Sequence, residues 1–229
     1  MRWCKISLLW RVQKNLPLDR PEPVFIGELT LPLLLGRHLL AGAAWLLFRM
    51  YGRGKVVGLE NVPVKGAVIL AANHASNLDP LLGWAVVGTK RTMWGVAKVE
   101  LWKSPLSAFV MGCVGAIPVR RGMADRSMFR TVLELLSKGE AVGLFPEGTR
   151  SLTGQLQVPQ AGIGLLVQKS GAVVVPVGIS GTYEMLPVGR KRLKRVPLTI
   201  TFGKPMAFGP DSSREDIAQQ IMDAVSELL

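Results

Sequence analysis

The sequence predicts an α/β fold with a largely parallel central sheet flanked by helices. Six short, β-prone apolar runs alternate with segments of helical spacing, which is the pattern of repeated βαβ units. The runs contain few polar residues, as expected of strands that are covered on both faces of a parallel sheet. They comprise residues 67–72, 91–98, 115–119, 141–146, 172–177 and 198–203.

Three helices are predicted between and after these strands. Residues 127–139 carry apolar side chains at helical spacing and end at Gly139, a typical C-terminal stop. Residues 162–171 form a second, shorter helix. The last helix begins with a capping box of Ser212 and Glu215 and is amphipathic beyond it.

Composition indicates an ordered, basic protein. The 229 residues are 48% hydrophobic, which excludes an intrinsically disordered chain. The formal net charge of +12 suits polyanionic partners: nucleic acid, anionic lipid headgroups or phosphorylated substrates. Cys4 and Cys113 give no disulfide framework, and no Cys/His cluster has the spacing of zinc ligands. Residues 1–20 lack the pattern of a secretory signal, so none is expected.

The chain divides into an N-terminal segment, residues 1–63, and an α/β domain, residues 64–229. Residues 26–50 are strongly apolar, but their longest uninterrupted run, Leu39 to Phe48, has only ten residues. Because spanning a bilayer takes about 20 apolar residues, we expect a membrane-associated helix that is interfacial or shallowly inserted. A helix that packs on the protein's own core is the alternative.

Polar clusters follow three of the predicted strands. They are "NHASNLD" at residues 73–79, "RRG" at 120–122 and "EGTRS" at 147–151. In open α/β sheets, ligands bind beyond the carboxyl ends of the strands. The coincidence of three such clusters therefore predicts an active site at that edge of the sheet.

His74 and Asp79 are the candidate catalytic residues of the first cluster. An imidazole can accept a proton near neutral pH, and a carboxylate on its other nitrogen fixes the tautomer and stabilises the imidazolium. A tight turn over the five-residue spacing brings the two side chains together. The alternative is structural, because Asp79 followed by Pro80 is also a typical helix start.

The second cluster offers two guanidinium groups. Arg120 and Arg121 directly follow a predicted buried strand, where they suit an anionic substrate. A solvated charged loop is the alternative.

The third cluster combines a flexible backbone with groups that bind phosphate. Gly148 lets the backbone approach a ligand closely, while Thr149 and Arg150 offer a hydroxyl and a guanidinium fork. Glu147 suits a polyol hydroxyl or the orientation of Arg150. An ordinary turn with an Arg–Glu pair is the alternative.

The sequence offers no nucleophile of its own. No serine lies in a G-x-S-x-G elbow, and Cys113 has no charged sequence neighbour to activate it, so it is interpreted as a packed thiol. If His74 is a base, it activates the substrate's own nucleophile, which indicates direct group transfer.

A second charged feature lies outside these clusters. Five of the six residues from Arg190 to Arg195 are basic, which suits lipid headgroups or an acidic carrier. Nucleic acid would be attracted in the same way, but no nucleic-acid-binding module is recognisable, so that partner is not expected. A solvated loop is again the alternative.

Four motifs occur in order along the chain: "NHASNLD" (73–79), "GAIPVRRG" (115–122), "FPEGTRS" (145–151) and "VVVPVGISG" (173–181). In these motifs the chain resembles the glycerolipid acyltransferases of the lysophosphatidic acid acyltransferase type. The first motif matches the N-H-x-x-x-x-D box of that family.

The resemblance implies a role for each matching residue. His74 would be the general base that deprotonates the acceptor hydroxyl, and Asp79 would hold and polarise it. Arg121 stands at the family's arginine position, with Arg120 beside it as an alternative ligand of the phosphate. The glycerol-phosphate part of the acceptor would also be bound by Glu147, Gly148, Thr149 and Arg150.

The resemblance also implies the reaction and its participants. A fatty acyl group would pass from a thioester, on coenzyme A or acyl carrier protein, to lysophosphatidic acid, with neither a metal nor a bound cofactor. The enzyme would act on an anionic membrane surface at the cytoplasmic face. Two alternatives remain: another acceptor, such as glycerol 3-phosphate, another lysophospholipid or a lyso-aminolipid, or a basic membrane-binding protein without turnover.

Overall fold

The computed structural model describes residues 31–120, 126–209 and 211–229. In these residues the chain forms one seven-stranded sheet with helices on both faces. The strands are β1 (Lys55–Val57), β2 (Val68–Ala72), β3 (Met93–Lys98), β4 (Ala116–Val119), β5 (Ala141–Leu144), β6 (Val173–Ser180) and β7 (Thr199–Phe202). The α-helices are α1 (Leu31–Leu46), α2 (Asp79–Val87), α3 (Pro105–Val114), α4 (Arg126–Ser137), α5 (Gly162–Ser170), α6 (Thr182–Met185) and α7 (Arg214–Ser226).

The sheet has the order β1-β7-β6-β2-β5-β3-β4. Every neighbouring pair is parallel except β6 and β7. The predicted α/β class with a largely parallel sheet is therefore confirmed, and all six predicted strands are present. β2 lies at the centre, between β5 and β6, so the first polar cluster leaves the middle of the sheet.

The sheet is buried on both faces, because successive side chains of a strand point to opposite sides. On β2, Leu70 and Ala72 face α1 and α2, whereas Ile69 and Ala71 face α4, α5 and α7. All five residues of β2 are buried. This double cover explains why the central strands read as continuous apolar runs.

The strand β1 was not predicted. It has only three residues, and Lys55 and Val57 are exposed, so it lacks the apolar pattern of a buried strand. It pairs with β7, which brings part of the predicted N-terminal segment into the sheet. The division of the chain between residues 63 and 64 stays a prediction.

The start of α7 corrects the predicted capping box by one residue. Ser213, not Ser212, is the N-cap, and its side chain accepts a hydrogen bond of 3.0 Å from the backbone N–H of Asp216. Ser213 has the extended backbone of a cap residue, with φ −67° and ψ 155°, so the first helical residue is Arg214. Glu215 therefore lies in the first turn and is not the capping partner.

Helices α5 and α7 pack together very closely. A β-carbon on Gly164 would overlap the backbone carbonyl of Arg214, so only glycine fits at this crossing. Gly83 in α2 is different, because a β-carbon there would meet no atom within 4 Å.

Helix α1 packs on α2 and α3 and continues through a π-helical turn, Leu47–Tyr51. The whole segment has 21 residues and is long and apolar enough to cross a bilayer. Core helices of soluble proteins and signal sequences can be equally long and apolar. Residues 26–30 of the predicted apolar segment lie outside the described residues. An interfacial or shallowly inserted α1 stays a prediction.

Candidate active site

The histidine box, residues 73–79, leaves β2 and leads directly into α2. Its first residue, Asn73, extends the strand pairing with its side chain. The Asn73 amide donates to the carbonyl of Ile179 at 2.9 Å and accepts from the N–H of the same residue at 2.8 Å. Because Ile179 belongs to β6, the neighbouring strand fixes the point at which the chain turns away from the sheet.

His74 and Asp79 form a buried pair. The imidazole Nδ1 lies 2.9 Å from Asp79 Oδ2, and the two residues are 7% and 0% exposed. Since a carboxylate can only accept, Nδ1 carries the hydrogen, and in the neutral imidazole Nε2 then carries the lone pair. The predicted pairing of the two side chains is thus present in the structure.

The Asp79 carboxylate also closes the loop between β2 and α2. Its Oδ2 accepts the backbone N–H groups of Ala75 and Ser76, both at 2.7 Å. Asp79 is the first residue of α2 and Pro80 the second, so the helix dipole favours the negative charge. The catalytic and structural interpretations of Asp79 are therefore compatible.

A second loop holds His74 from the other side. Phe145 follows β5, and its ring stacks on the imidazole with centroids 3.9 Å apart and an interplanar angle of 15°. The backbone N–H of His74 donates to Glu147 Oε1 at 2.7 Å, and its carbonyl accepts from the N–H of Ser151 at 2.7 Å. These contacts fix both the ring and the backbone of His74.

The two oxygens of Glu147 are used within the protein. Oε1 bonds His74, whereas Oε2 accepts the backbone N–H of Gln157 at 3.1 Å and its side-chain amide at 3.0 Å. Glu147 itself is only 3% exposed. In this structure it ties two loops together, and the predicted contact with an acceptor stays a prediction.

The other candidates of the third cluster lie beside the histidine box and are more accessible. Gly148 has a φ of +68°, which favours glycine, and both Gly148 and Thr149 are exposed. Arg150 is half-buried and donates to the side-chain oxygen of Asn77 at 2.6 Å. The structure thus brings the first and third clusters together, as their positions at strand ends predicted.

The described arginine of the second cluster, Arg120, lies farther along the same edge of the sheet. Arg120 directly follows β4, which is two strands away from β5, and it is half-buried. Arg121 lies outside the described residues. A role for either arginine in substrate binding stays a prediction.

Several residues that shape the site were missed by sequence reasoning. Asn73 and Asn77 were inside a quoted motif, but nothing in the spacing indicated their partners. Phe145 was visible only as an apolar neighbour of the third cluster. Gln157 lies in an irregular segment and gave no signal at all.

Together these groups can carry out proton transfer. A buried carboxylate orients the imidazole, an aromatic ring supports one of its faces, and Nε2 is left as the proton acceptor. The exposed glycine turn and Arg150 beside it carry hydrogen-bond donors of the kind that bind anions.

Residues 53–180, more than half of the chain, match the sequence model of a family described as Acyltransferase. The chain belongs to the acyltransferase family. The matched region contains β1 to β6, the histidine box and all the candidate residues of the site.

Several proteins with sequences similar to this acyltransferase are named 1-acyl-sn-glycerol-3-phosphate acyltransferase. A chloroplastic 1-acyl-sn-glycerol-3-phosphate acyltransferase of Arabidopsis thaliana is 30% identical over 66% of this chain and 43% of its own length. One from Brassica napus is 30% identical over 80% of this chain and 56% of its own length. The chain thus spans about half the length of these plant relatives. A Bacillus subtilis protein of the same name is 27% identical, and the alignment covers 72% of this chain and 80% of that protein.

The fold of the acyltransferase has a solved counterpart. The 1-acyl-sn-glycerophosphate acyltransferase of Thermotoga maritima superposes with a TM-score of 0.72 at 24% sequence identity. The match covers 97% of this chain and 86% of the other. It confirms the architecture of the sheet and its helices.

Proposed function

We propose that this acyltransferase is a 1-acylglycerol-3-phosphate O-acyltransferase. It moves a fatty acyl group from a thioester to the free hydroxyl of lysophosphatidic acid and gives phosphatidic acid for phospholipid synthesis. The observation that carries the proposal is the buried His74–Asp79 pair, which holds a proton acceptor at the edge of the sheet. The names of the plant and Bacillus relatives support the choice of acceptor.

In the first step, His74 acts as general base. Its Nε2 takes the proton of the acceptor hydroxyl while the hydroxyl oxygen attacks the carbonyl carbon of the thioester. Asp79 accepts the Nδ1–H bond throughout and stabilises the imidazolium that forms. The product of this step is a tetrahedral intermediate with a negatively charged oxygen.

In the second step, the intermediate collapses. The carbon–sulfur bond breaks, the new oxygen ester remains, and the electron pair leaves on the thiolate sulfur. The His74 imidazolium gives its proton to the thiolate, so the products are an ester and a free thiol. His74 returns to its neutral form, and no covalent acyl-enzyme is needed.

The acceptor's phosphate binds to hydroxyl and cationic groups near the base. Arg150 and Thr149 lie on the loop that touches the histidine box, and Arg150 already has a partner in Asn77 that orients its guanidinium. Arg120 or Arg121 provides a further positive charge from the second cluster. Glu147 keeps the loop at a fixed distance from His74.

The donor thioester is carried by coenzyme A or by acyl carrier protein. Both are acidic, and a net charge of +12 favours their approach. The enzyme acts at the cytoplasmic face of a membrane, where α1 contacts the lipid. The exposed leucines of α1 support contact with a membrane.

The test compares the wild-type protein with His74→Ala and His38→Ala. Acyl transfer from labelled oleoyl-coenzyme A to lysophosphatidic acid is measured on vesicles, with acyl carrier protein thioester and other lysolipids as parallel substrates. We expect His74→Ala to lose about 10²–10⁴-fold in turnover. His38 lies exposed on α1, so His38→Ala should retain wild-type turnover.

Two outcomes would contradict the proposal. Near-normal turnover by folded His74→Ala would remove the base, and with it the mechanism. Transfer to a different acceptor, with none to lysophosphatidic acid, would keep the mechanism but replace the substrate.

A further inference from the structure

Two highly exposed apolar side chains lie beside the base. Leu152 and Val158 are 74% and 81% exposed, and they lie near the two ends of an irregular loop, residues 151–158, here called the site loop. Single apolar residues on a protein surface are common and carry no meaning by themselves. These two differ, because each directly follows a residue that anchors the site loop at His74.

Both ends of the site loop are anchored at the base. The N–H of Ser151 donates to the carbonyl of His74 at 2.7 Å. At the other end, Gln157 donates to Glu147 Oε2 at 3.1 and 3.0 Å, while Oε1 of the same carboxylate accepts the N–H of His74. The two ends of the site loop therefore lie close together next to His74, as in a compact surface loop of the kind that often serves function.

The middle of the site loop is held by Tyr183. The hydroxyl of Tyr183 donates to the carbonyl of Leu152 at 3.1 Å. Gly154 has a φ of +81°, and a β-carbon there would lie only 2.8 Å from Tyr183 Cδ1, so glycine allows this close packing. Because the backbone is fixed at both ends and in the middle, Leu152 and Val158 cannot turn inward without breaking these contacts. The site loop thus presents a preformed apolar surface beside the active site, which is typical of ligand contacts.

The chemistry of the acceptor indicates what covers this surface. Thr149 and Arg150, the proposed ligands of the phosphate, directly precede the site loop, and Leu152 is two residues beyond Arg150. In 1-acylglycerol 3-phosphate the reactive hydroxyl lies on the glycerol carbon between the carbon that bears the phosphate and the carbon that bears the acyl chain. With the phosphate at Arg150 and the hydroxyl at His74, the chain therefore begins within a few covalent bonds of both contacts.

We propose that Leu152 and Val158 contact the acyl chain of the acceptor and so select a lysolipid over a chainless acceptor such as glycerol 3-phosphate. The inference rests on the proposed function, because it takes lysophosphatidic acid as the acceptor. The contact adds to affinity only when the acceptor has a chain, since the favourable term is the burial of apolar area. Leu152 and Val158 are thereby specificity-determining residues, and neither takes part in the chemical step.

The test uses 1-acyl lysophosphatidic acids with chains from hexanoyl to dodecanoyl, together with glycerol 3-phosphate. All are used without vesicles and below the concentration at which they form micelles. The variant L152Q/V158Q makes the surface polar, whereas L152V/V158L exchanges the two side chains and keeps it apolar. V64Q is the control, because Val64 is 59% exposed but lies before β2, at the opposite edge of the sheet.

Two quantities are measured for each acceptor. Calorimetry gives the Kd of the acceptor alone, which cannot react without a thioester, and steady-state kinetics with octanoyl-coenzyme A give kcat and KM. In the wild type, affinity should rise with chain length by up to about fourfold per methylene, the limit for full burial. In L152Q/V158Q this rise should flatten, so that the dodecanoyl acceptor loses about tenfold in Kd and KM and shorter acceptors lose progressively less. V64Q and L152V/V158L should keep the dependence of the wild type, and circular dichroism melting verifies that each variant is folded.

Three outcomes would overturn the inference. An equal loss in L152Q/V158Q for every acceptor, glycerol 3-phosphate included, would assign the site loop to the phosphate or to folding. A loss that follows the chain length of the donor would assign it to the acyl donor. A variant that behaves as the wild type with dissolved acceptors and is impaired only on vesicles would assign it to the bilayer.

The two measurements also separate this inference from the proposed function. If binding depends on chain length through Leu152 and Val158 but the wild type transfers no acyl group to lysophosphatidic acid, the contact stands and the proposed function fails. If the wild type transfers the acyl group and L152Q/V158Q keeps the full chain-length dependence, the proposed function stands and the inference fails.

Discussion

Glu147 accepts a hydrogen bond of 2.7 Å from the backbone N–H of His74. The bond joins two loops that follow neighbouring strands, β2 and β5, at the carboxyl edge of the sheet. The second oxygen of Glu147 is held by Gln157, so the carboxylate acts as a link between loops. A residue with this role should affect the placement of the base more than the affinity for an acceptor.

The first prediction concerns that link. In Glu147→Gln, the side-chain amide would place a donor against either His74 or Gln157, both of which donate in the wild type. We expect kcat to fall about 10- to 100-fold, because a small displacement of the base is costly, while KM for the acceptor changes little. Steady-state kinetics with lysophosphatidic acid provide the measurement.

Gln157→Ala is the matched control for Glu147. It removes the side-chain donor to Glu147 but leaves the backbone N–H of residue 157 in place. The loss in kcat should have the same character as in Glu147→Gln and be smaller. A rise in KM for the acceptor at constant kcat in Glu147→Gln would instead assign Glu147 to acceptor binding.

The second prediction concerns Asp79. Asp79→Asn removes the negative charge that stabilises the imidazolium, so kcat should fall about 10²–10⁴-fold. The free energy of unfolding of the variant should also fall by about 1–3 kcal/mol. Among the described residues Asp79 Oδ1 has no hydrogen-bond partner, and a buried amide N–H₂ there would be unsatisfied. Full activity in a folded variant would show that His74 needs no orienting charge.

The third prediction concerns Arg150. Its guanidinium is already oriented by Asn77 at 2.6 Å, and a lysine has no planar fork to meet both this oxygen and a phosphate. We expect Arg150→Lys to raise KM for lysophosphatidic acid by about tenfold. The KM for the acyl donor serves as the internal comparison, and a rise confined to the donor would move Arg150 to the other half of the site.

The fourth prediction tests the close crossing of α5 and α7. Gly164→Ala forces a methyl group into the carbonyl of Arg214, so the free energy of unfolding should fall by about 2–4 kcal/mol. Gly83→Ala in α2 meets no neighbour and should be neutral or stabilising by up to about 1 kcal/mol. Urea unfolding of both variants distinguishes steric overlap from a general effect of replacing helical glycine.

The fifth prediction concerns Cys113. Burial raises the pKa of this thiol, and the nearby charge of Arg37 opposes that shift. The thiolate, which is the reactive form, is therefore scarcer at pH 8 than in a free thiol. In a Cys4→Ser background, native protein should be alkylated by iodoacetamide far more slowly than urea-unfolded protein. Equal rates would mean that the contact between α1 and α3, which buries Cys113, opens readily.

The fold was largely predictable because its central strands are buried on both faces. Such strands appear in a sequence as uninterrupted apolar runs, and the six that were predicted are present. β1 was missed because two of its three residues are exposed. The antiparallel direction of β7 was also not predictable, since an apolar run carries no information about which way the strand points.

Within the site, only the contact between residues close in sequence was predictable. His74 and Asp79 are five residues apart, so a turn between them was a sufficient hypothesis. The support from Phe145, Glu147 and Gln157 depends on β2 and β5 being neighbours in the sheet. The order of strands is set by the packing of the whole sheet, so it could not be predicted from the spacing of residues along the chain.

The hydrogen bonds that hold the histidine box have a consequence for folding kinetics. They join residues 73, 106 and 110 positions apart along the chain, whereas the helices form through local bonds. Contacts of such long range are completed late, because the entropy of closing large loops must be overcome first. We therefore expect refolding chains to regain helical circular dichroism before catalytic turnover. Turnover would then appear only after the long-range contacts of the histidine box have formed.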